Sequence, residues 1–551
     1  MEDKRLRLPV GIQSFEKLRK RNCVYVDKTK YLVDLIDKGD IYFLARPRRF
    51  GKSLTISTFD ALFSGKKELF KGLYAEEFLN RLNFEPSPVI RLDMSKVTTS
   101  EGIEGIRDSI LNMTRQVAKK LEVKLSDTQL CGDLLSELIV ATAEKYEREA
   151  VILVDEYDKP YTDFVNDPVM AEKVREVLRN YYVSIKSNDE HIRFTFITGI
   201  SKFAKFGVFS TLNTPLDISM MPEYAEICGY TEEEIVCYFP DYLEETASYM
   251  QLSTDDLIQR MRDYYNGFTF DSRAKTRLYN PYSTLSFFAK KEFVNYWIDS
   301  GRSKVIAEYL KNKRLTAEQF RALPVSRDFV ESPGDMDATL PQGFLYQGGY
   351  LTLRPGTDSQ LTLDYPNTEV RNAMSKMFTQ NVVNEDVYEN FQHAVIVALR
   401  EQNIEKLAGI FNRLLARIPY DDYVSAIKQI FIFDEIKMPV QEWLYRSSIL
   451  SLLLGCGVDV MPEVHSNMGR ADLVIRYGGF AWVIEFKVAY KADSSEKKAE
   501  EAIRQIEEKN YAKLYPDAVC VGMVIDDEVR QITKIEWGTD LELAKNWRLL
   551  C

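Results

Sequence analysis

Four short apolar runs near the start of the chain indicate its fold class. They are Ile41–Ala45, Val89–Leu92, Val151–Val154 and Arg193–Ile200, and helical stretches separate them. A strand that helices cover on both faces is apolar along its whole length, because neither face meets water. Strands that alternate with helices in this way form parallel sheets. The sequence therefore predicts an α/β fold with a parallel sheet over residues 1 to about 215.

The loop after the first of these runs has the features of a phosphate-binding loop. Its sequence from Arg46 to Ser53 is RPRRFGKS, and a helical run from Leu54 to Phe63 follows. In such a strand, loop and helix, backbone N–H groups and the helix N-terminus direct positive charge towards one point. We expect Lys52 to reach the β- and γ-phosphates of ATP, and the Ser53 hydroxyl to bind Mg²⁺. The P-loop NTPase fold that this predicts would bind the nucleotide through Arg48, Arg49, Phe50, Gly51, Lys52 and Ser53.

One position of this loop departs from the general motif. A glycine is expected five residues before Gly51, and this chain has Arg46 there. Together with Arg48 and Arg49, this residue adds positive charge to the loop. The alternative is that Gly51 ends an ordinary loop and that Lys52 is a solvated surface residue.

Two carboxylates follow the apolar run Val151–Val154. Asp155 and Glu156 would lie at the carboxyl end of a buried strand, where such sheets bind their ligands. We expect Asp155 in the Mg²⁺ shell and Glu156 as the catalytic residue that orients or deprotonates the attacking water. The alternative is a pair of acids that caps the following helix. Thr198 and Ser201 follow the next strand, where a residue that senses the γ-phosphate could lie, although a role in a turn is the simpler interpretation.

Near the C-terminus, two strand-like runs form a predicted hairpin. The runs are Arg470–Tyr477 and Phe480–Val488, and Gly478 and Gly479 join them. A Gly-Gly pair suits the two-residue turn of a hairpin, because both turn positions require a positive φ. The sequence therefore predicts two antiparallel strands with a defined register.

The register brings two acids together. If Tyr477 lies opposite Phe480, Asp472 lies directly opposite Glu485. Opposed side chains have Cβ atoms about 4.5–5.5 Å apart, and like charges at that distance destabilise a sheet. A divalent cation removes this repulsion, and Mg²⁺ binds one or two carboxylates while it keeps water and substrate phosphate as its other ligands. We therefore predict Mg²⁺ between Asp472 and Glu485, with Mn²⁺ as an alternative ion.

A lysine completes this predicted site. Lys487 lies on the same strand face as Glu485, because side chains two residues apart point to the same side. Its ammonium group can position the nucleophilic water or stabilise the charge that develops on a phosphodiester. The predicted catalytic residues are thus Asp472, Glu485 and Lys487. The alternative is a surface hairpin whose polar face carries these charges without a function.

The middle of the chain is mostly helical by its sequence. The strand-like runs Gly343–Leu353 and Gln360–Leu363 interrupt it, with a turn at Arg354-Pro355-Gly356 between them, and suggest a winged-helix-like module. We divide the chain into an α/β domain with the phosphate-binding loop at 5–220, a helical lid with this module at 221–370, a helical linker at 371–435 and a C-terminal α/β domain at 436–551.

Composition excludes several other classes. The 551 residues include 72 Lys and Arg against 83 Asp and Glu, so the net charge of −11 argues against a protein that coats nucleic acid or anionic lipid with its whole surface. The 7 Cys lie far apart and the 3 His cannot supply a histidine cluster, so neither a disulfide framework nor a zinc site is expected. The best apolar stretch, Ile449–Val458, has about half of the roughly 20 residues that a membrane span requires. We expect a cytoplasmic protein without membrane contact.

Three segments carry a resemblance to one family. They are YVDKT at Tyr25–Thr29, RPRRFGKS at Arg46–Ser53 and VDEYD at Val154–Asp158. Together they resemble the AAA-ATPase-like family, mostly bacterial, whose members carry a C-terminal nuclease domain. That family tends to have the same RPRRFGKS loop, so Arg46 departs from the general motif but not from these proteins. The resemblance implies an ATP-binding domain over residues 5–220.

The C-terminal hairpin resembles the PD-(D/E)XK nuclease superfamily. Asp472, Glu485 and Lys487 match its Asp…Glu-x-Lys core, within residues 436–551. The proline that usually precedes the aspartate is replaced by Ala471, which is not a ligand position. The resemblance implies a metal-dependent nuclease with an α/β restriction-endonuclease-like fold.

Two further residues match this superfamily. An acid on the helix before the hairpin often helps to bind the metal, and Glu442 in the helical run Val440–Leu454 has this position. A solvated helix residue is an equal alternative for Glu442. Gln505, in the helix after Lys487, resembles a polar position used in related nucleases, and a surface glutamine is its alternative.

Two Mg²⁺-phosphate sites in one chain lead to our main hypothesis, an ATP-binding and Mg²⁺-dependent nuclease under nucleotide control. The main alternative is a nucleotide-dependent switch or DNA-binding regulator whose nuclease-like domain does not cut. A motor-like ATPase is the third hypothesis, which the lack of a helicase motif set disfavours. We expect ATP and nucleic acid as partners, with DNA preferred to RNA, and leave self-association into a homo-oligomer open.

Overall fold

A computed structural model describes residues 5–539 with gaps at 82–83, 165, 202–214, 300–306, 308–309, 312–313, 315, 332–340, 357–359, 384, 431–437, 466–469, 492, 510–514 and 516–517. The chain divides into two compact units. The first consists of Met1–Val305 and Phe320–Val370, and the second of Ile306–Gln319 and Arg371–Cys551. The finer division into four regions that the sequence suggested remains a prediction.

The first unit contains a parallel sheet. Its strands are β1 (Ile41–Ala45), β2 (Val89–Asp93), β3 (Ala150–Asp155), β4 (Ile192–Gly199) and β5 (Leu216–Asp217). They lie in the order β2-β3-β4-β1-β5, and every neighbouring pair is parallel. All residues of β3 are buried, as its uninterrupted apolar sequence requires. The α/β fold class predicted from the four apolar runs is thus confirmed.

Helices cover both faces of this sheet. The helices that the structure describes in the first unit are α1 (Phe15–Lys20), α2 (Thr29–Lys38), α3 (Lys52–Phe63), α4 (Tyr74–Arg81), α5 (Gly102–Lys120), α6 (Cys131–Tyr146), α7 (Lys159–Thr162), α8 (Pro168–Ser187), α9 (Glu232–Tyr238), α10 (Pro240–Met250), α11 (Thr254–Tyr265), α12 (Pro281–Lys290), α13 (Tyr296–Asp299), α14 (Arg327–Glu331) and α15 (Pro341–Gly348). Apolar residues of α5, α6 and α8 share one core with the sheet. On the other face, Phe59 of α3 packs against Phe194 and Phe196 of β4.

A second, small sheet belongs to the same unit. Its antiparallel strands β6 (Leu323–Val325), β7 (Thr352–Pro355) and β8 (Leu361–Asp364) lie in the order β6-β8-β7. The helices α14 and α15 lie between the first two strands in the chain. The run Gln360–Leu363 therefore does form a strand, while the winged-helix-like module as a whole remains a prediction.

The strand predicted over Gly343–Leu353 is wrong in its first half, because α15 occupies Pro341–Gly348. Proline suits the first turn of a helix, where its missing N–H has no partner to lose. Beyond the helix, Gly349 has a φ of +83°, and the Tyr350 N–H donates to the Leu345 carbonyl at 2.8 Å. A left-handed glycine directly after the last helical residue is a common helix end. These boundary residues outweigh the strand-like composition between them.

The second unit contains a mixed sheet. Its strands are β9 (Asp459–His465), β10 (Arg470–Tyr477), β11 (Phe480–Ala489), β12 (Val519–Asp526) and β13 (Gln531–Thr539). They lie in the order β13-β12-β11-β10-β9. The pair β11 and β12 is parallel, and the other neighbouring pairs are antiparallel. The long connection between β11 and β12 contains a helix, as a parallel crossover requires.

Helices surround this sheet as well. The described helices from Thr368 onwards are α16 (Thr368–Val383), α17 (Glu385–Arg400), α18 (Ile404–Leu415), α19 (Tyr420–Ile430), α20 (Val440–Gly455) and α21 (Ser495–Glu508). One core joins Trp482 and Ile484 of β11 to residues of α17, α18 and α20. Val483 packs on the opposite face against α21. Because side chains alternate along a strand, Glu485 and Lys487 lie on the α21 face.

Candidate functional site

The predicted nucleotide-binding loop connects β1 to α3. The helix begins at Lys52, and Gly51 before it has a φ of +105°, a left-handed conformation that favours glycine. The Thr55 N–H donates to the Gly51 carbonyl at 2.9 Å, which closes the first helical turn. Ser53 is half-buried within this turn. The N–H groups at the start of a helix have no intrahelical acceptor, so this geometry suits an anion.

Lys52 is only 5% exposed. Its ammonium group donates to the carbonyl oxygens of Arg46 at 2.8 Å and Pro47 at 2.9 Å. Burial lowers the pKa of Lys52, and the negative charges of Glu156 and Asp155 oppose this change. The alternative of a solvated surface lysine is therefore wrong. The charge of Lys52 lies near the acids at the end of β3.

Arg46 has a structural position that the sequence did not reveal. The residue is 1% exposed, and its guanidinium donates to the carbonyls of Ser219 at 2.7 Å and Tyr224 at 3.1 Å. The guanidinium carbon lies 4.3 Å from the ring centroid of Phe270. Burial lowers the pKa of Arg46 to about 10. These carbonyls bind the guanidinium of Arg46 and fix the loop to the segment after β5, so this side chain anchors the loop.

The next two arginines of the loop have different surroundings. The Arg48 carbonyl accepts a hydrogen bond from Trp297 Nε1 at 2.9 Å. Arg49 has a φ of +65°, and its guanidinium carbon lies 4.7 Å from the ring centroid of Tyr282. A non-glycine residue with positive φ is strained and is often found at a ligand site. The loop backbone is thus held by aromatic residues that lie far away in the sequence.

Phe50 is buried inside an aromatic cluster. Its ring packs edge-on against Phe268 at 4.8 Å and Phe270 at 5.0 Å between centroids. The Phe50 carbonyl accepts the Gly229 N–H at 3.2 Å. Any contact of Phe50 with a nucleotide would therefore come from its backbone, while its side chain anchors the loop.

The acids predicted to assist the nucleotide lie at the end of β3. Asp155 is buried, and its carboxylate accepts a hydrogen bond from Thr198 Oγ1 at 3.0 Å. Glu156 has a φ of +52°, so its backbone is strained. Burial raises the pKa of Glu156, and the positive charges of Lys52 and Arg48 oppose that change. The structure thus brings Asp155, Glu156 and Lys52 to one edge of the sheet.

A third acid of this cluster was missed from the sequence. Asp158 is buried and accepts hydrogen bonds from Ser201 N at 2.8 Å and Ser201 Oγ at 2.7 Å. The Ile200 N–H adds a further bond at 3.1 Å. Asp158 therefore joins the end of β4 to the acids after β3. The signal was present in the VDEYD segment, whose second aspartate was read only as part of a family motif.

The C-terminal hairpin has the predicted register. Tyr477 lies opposite Phe480, and the pairing continues to Leu473 opposite Ile484. Gly478 and Gly479 have φ values of +57° and +88°, as a tight hairpin turn requires. Continued by one residue, this register brings Asp472 next to Glu485.

Asp472 is bound through both of its oxygens. Its Oδ1 accepts a hydrogen bond from Arg446 Nη2 at 2.5 Å, and its Oδ2 accepts the Phe486 N–H at 2.8 Å. Burial raises the pKa of Asp472, and the Arg446 charge is the main effect that opposes it. Arg446 also lies 3.4 Å from Glu442, one turn earlier on α20. Glu442 is thus linked to Asp472 through Arg446, a link that the sequence did not reveal.

Glu485 is the most deeply buried acid of this group, with 2% exposed. Its Oε1 lies 3.3 Å from Lys487 Nζ, while Oε2 is buried without a hydrogen-bond partner. Burial raises the pKa of Glu485 to about 8, and the negative charge of Asp472 is the second cause of this increase. A buried carboxylate oxygen without a donor is unfavourable unless a cation or a proton satisfies it.

Lys487 lies between Glu485 and α21. Its ammonium group donates to Gln505 Oε1 at 2.6 Å, and a quarter of its side chain, 25%, is exposed. Gln505 therefore holds the lysine beside the acid, which a simple surface glutamine would not do. Since Lys487 combines a fixed position with access to solvent, it can contact a bound substrate.

The acids present fit a divalent cation. Among the side chains that the structure describes, no group of three or more His, Cys, Asp and Glu is arranged to hold a metal. Mg²⁺ needs only one or two carboxylates, because water and phosphate complete its shell. The orphaned Oε2 of Glu485 beside Asp472 fits that requirement, as do Ser53 and Asp155 at the nucleotide loop.

No helix within the described part of the chain is both long and apolar enough to cross a membrane.

Comparison with known proteins finds two matching families along the chain. Residues 9–209 match the predicted AAA-ATPase family, and residues 440–535 match the PD-(D/E)XK nuclease superfamily. The chain is 31% identical over 517 residues to a protein of Azotobacter chroococcum mcd 1, described as an uncharacterized protein in the vnfD 5' region. This match covers 93% of the chain and 94% of that protein. A solved structure, that of the Aeropyrum pernix ORC2 protein in ADPNP and ADP complexes, matches 68% of this chain and 96% of its own with 13% identity and a TM-score of 0.22.

Proposed function

Because this chain belongs to the AAA-ATPase-like family whose members carry a C-terminal PD-(D/E)XK nuclease superfamily domain, we propose that it binds and hydrolyses ATP and cleaves nucleic acid under control of the nucleotide. The observation that carries the nuclease proposal is the buried Glu485, whose unpartnered oxygen lies beside Asp472 and Lys487. DNA is the proposed substrate, in preference to RNA.

The nucleotide site would be formed by the loop, the start of α3 and the acids after β3. Lys52 would exchange its bonds to the loop carbonyls for bonds to the β- and γ-phosphates. Ser53 and Asp155 would hold Mg²⁺, which neutralises phosphate charge when bound. Glu156, whose pKa is raised by burial, would orient or deprotonate the attacking water. Asp158 acts through the end of β4 and positions the neighbouring groups.

The nuclease site would be formed by the hairpin. Asp472 and Glu485 would hold Mg²⁺ or Mn²⁺, which polarises the phosphodiester and lowers the pKa of a bound water. Lys487 would donate to the charge that develops on the phosphate, since its exposed end can reach substrate. Gln505 would keep the lysine in that position. Burial keeps bulk water away from Glu485, which strengthens the electrostatic interactions of its carboxylate.

Control by the nucleotide is supported by a chain of contacts that starts at the loop. Trp297 Nε1 donates to the Arg48 carbonyl at 2.9 Å, and the Trp297 N–H donates to Glu369 Oε1 at 2.6 Å. Glu369 is buried in the first turn of α16, and it also accepts a bond from Ser283 Oγ at 2.8 Å. The residues of α16 from Arg371 onwards belong to the second unit. A shift of the loop on nucleotide binding would thus change the hydrogen bonds of Glu369 at the start of that helix.

Cleavage assays test the proposal. Full-length protein is incubated with single-stranded DNA, duplex DNA and RNA, with Mg²⁺ or Mn²⁺, in the presence and absence of ATP. We expect cleavage by the wild type, no cleavage by Lys487→Ala, and cleavage without nucleotide control by Lys52→Ala. Lys491→Ala is the matched control, because Lys491 is 88% exposed four residues further along the chain. Intact substrates under all conditions contradict the nuclease proposal.

One observation favours a second candidate, a nucleotide-dependent regulator that binds DNA without cutting. Arg446 holds Oδ1 of Asp472, so a cation does not find both acids free. A regulator of this kind would bind DNA with ATP dependence in the Lys487→Ala variant as in the wild type. A filter-binding assay beside the cleavage assay separates the two, since a nuclease loses turnover in this variant while a regulator keeps its only activity.

A further inference from the structure

Arg446 binds two of the predicted metal-site acids, Asp472 and Glu442. The residue lies on α20 with 16% of its side chain exposed, and donates to Asp472 Oδ1 at 2.5 Å. The same guanidinium lies 3.4 Å from Glu442 Oε1. Since Oδ2 of Asp472 accepts the Phe486 N–H at 2.8 Å, both oxygens of this acid are engaged.

Glu485 presents the opposite case. Its Oε1 contacts Lys487 at 3.3 Å, but its Oε2 is buried without any hydrogen-bond partner. A cation between the two acids would satisfy this oxygen. A cation that both acids hold also takes an oxygen of Asp472, and Oδ2 already accepts the Phe486 N–H where β10 lies beside β11. The oxygen that remains is the one that Arg446 holds.

Given the metal site proposed above, we infer that Arg446 and the divalent metal compete for Asp472, and that the displaced guanidinium then binds a phosphate of the nucleic acid. A carboxylate oxygen that accepts a short bond from a guanidinium is shielded from a cation by that positive charge. The displaced guanidinium stays near the site, because apolar residues of α20 pack in the core of the second unit and hold the helix in place. Its planar set of N–H donors matches a phosphate group and can bind it through two parallel bonds.

The competition gives Arg446 two roles in sequence. Without metal it compensates the charge of Asp472 beside Glu485, where two buried acids would otherwise repel each other. With metal bound, that compensation is no longer needed and the guanidinium becomes a phosphate-binding group. A metal that binds Asp472 frees Arg446 for a phosphate of the substrate. A phosphate that binds Arg446 in turn frees Asp472 for the metal, so substrate and metal would promote each other's binding.

The test measures metal binding rather than cleavage. Chelator-treated full-length protein is titrated with Mg²⁺ by calorimetry at about pH 8.5, because an alkaline pH favours the ionised form of Glu485. We expect Arg446→Gln to bind Mg²⁺ at least about tenfold more tightly than the wild type, the effect of one lost competing charge-assisted bond. Arg446→Lys keeps the charge without the planar donors and should give an intermediate affinity. Arg476→Gln is the matched control, since Arg476 is an exposed arginine of the same strand as Asp472 and pairs with Asp459 at 2.8 Å.

A second measurement tests the phosphate role. Binding of a DNA oligonucleotide is followed with Ca²⁺ in place of Mg²⁺, over a range of salt concentrations. We expect Arg446→Gln to bind DNA more weakly and to reduce the salt slope by about one, as the loss of one phosphate contact predicts. Circular dichroism checks folding of each variant, and Arg446→Lys carries both measurements if the glutamine variant does not fold.

The outcomes separate this inference from the proposed function. Tighter Mg²⁺ binding together with weaker DNA binding in Arg446→Gln supports it. If the wild type binds Mg²⁺ and Arg446→Gln binds it no more tightly, the competition is refuted while the proposed metal site stands. If the wild type binds no Mg²⁺ with or without DNA, the metal site fails and this inference fails with it.

Discussion

Replacing Glu485 with Gln is expected to stabilise the metal-free protein at alkaline pH. The Glu485 carboxyl is 2% exposed, and one of its oxygens has no hydrogen-bond partner. Burial and the neighbouring Asp472 charge raise its pKa from 4.5 to about 8. Glutamine has nearly the same shape and cannot ionise, so it removes the unfavourable charge while it keeps the packing.

The size and sign of the effect follow from linkage. A carboxyl whose pKa is raised in the folded state contributes stability below its unfolded pKa, and this contribution is lost as the pH rises through the folded pKa. With an unfolded value of 4.5 and a folded value of about 8 for Glu485, the wild type should lose about 3 kcal/mol between about pH 5 and about pH 8. The variant should lack this loss, although Asp472, whose pKa is also raised, continues to titrate in both proteins.

Urea unfolding in the presence of a chelator measures this difference. The unfolding free energies of the wild type and Glu485→Gln are compared at several pH values, by fluorescence and by circular dichroism. Glu528→Gln serves as the control, because Glu528 is 61% exposed in the same unit. Parallel pH profiles for Glu485→Gln and the wild type would refute the idea that this carboxyl is buried with a raised pKa. Added Mg²⁺ should stabilise the wild type and leave the variant unchanged.

Three further predictions concern the nucleotide loop. Lys52→Ala should weaken ATP binding by about tenfold to hundredfold, the effect of lost charge-assisted bonds, measured with a fluorescent ATP analogue. Trp297→Phe removes the indole N–H that binds the Arg48 carbonyl but keeps an aromatic ring beside Phe268 and Tyr350, so ATP affinity should change by less than about tenfold while the ATP dependence of cleavage is lost. Arg46→Gly restores the general motif, yet it should destabilise the first unit by about 3 kcal/mol in thermal unfolding, because buried carbonyls lose their donors. An Arg46→Gly protein as stable as the wild type would contradict the anchoring role.

Four strands of the parallel sheet and the C-terminal hairpin could be predicted from the sequence because their signals are local. A run such as Val151–Val154 is apolar at every position only if both faces of the strand are covered, which predicts a central strand. The register of the hairpin follows from Gly478 and Gly479, because a two-residue turn leaves one way to pair the flanking residues. These inferences need only neighbours in the chain and the periodicity of a strand.

The contacts that hold the site together could not be predicted in this way. Trp297 binds the loop carbonyl of Arg48 from 249 positions away, and Arg446 binds Asp472 from 26 positions away. No periodicity relates such residues, since their contacts depend on how whole elements pack. The spacing of Arg446 four residues after Glu442 on one helix face was a local signal, but it indicates a helical ion pair and does not indicate Asp472.

Arg46 shows how a local motif can mislead. Judged by the loop alone, a third arginine adds positive charge for phosphate. In the fold, its guanidinium binds backbone carbonyls of Ser219 and Tyr224, so it anchors the loop from behind. A buried arginine requires acceptors, and the segment after β5 supplies them only once the sheet has formed. The role of this residue is therefore a property of the tertiary structure.

The acids after β3 and the acids of the hairpin differ in whether a nearby cationic side chain binds them directly. This difference predicts which of the two sites binds Mg²⁺ at the lower concentration. Lys52 donates to two loop carbonyls and lies near the acids after β3 without binding them, so Asp155 can accept Mg²⁺ as nucleotide arrives. Arg446 binds Asp472 directly, so metal there must first displace it. In a Mg²⁺ titration at fixed ATP, nucleotide binding should therefore saturate at about tenfold lower Mg²⁺ than cleavage, if the exchange involves one charge-assisted bond. In Arg446→Gln without DNA, the nuclease site should bind Mg²⁺ at close to the concentration at which nucleotide binding saturates. Saturation of cleavage at the lower Mg²⁺ concentration in the wild type would show that Arg446 presents no barrier to the metal.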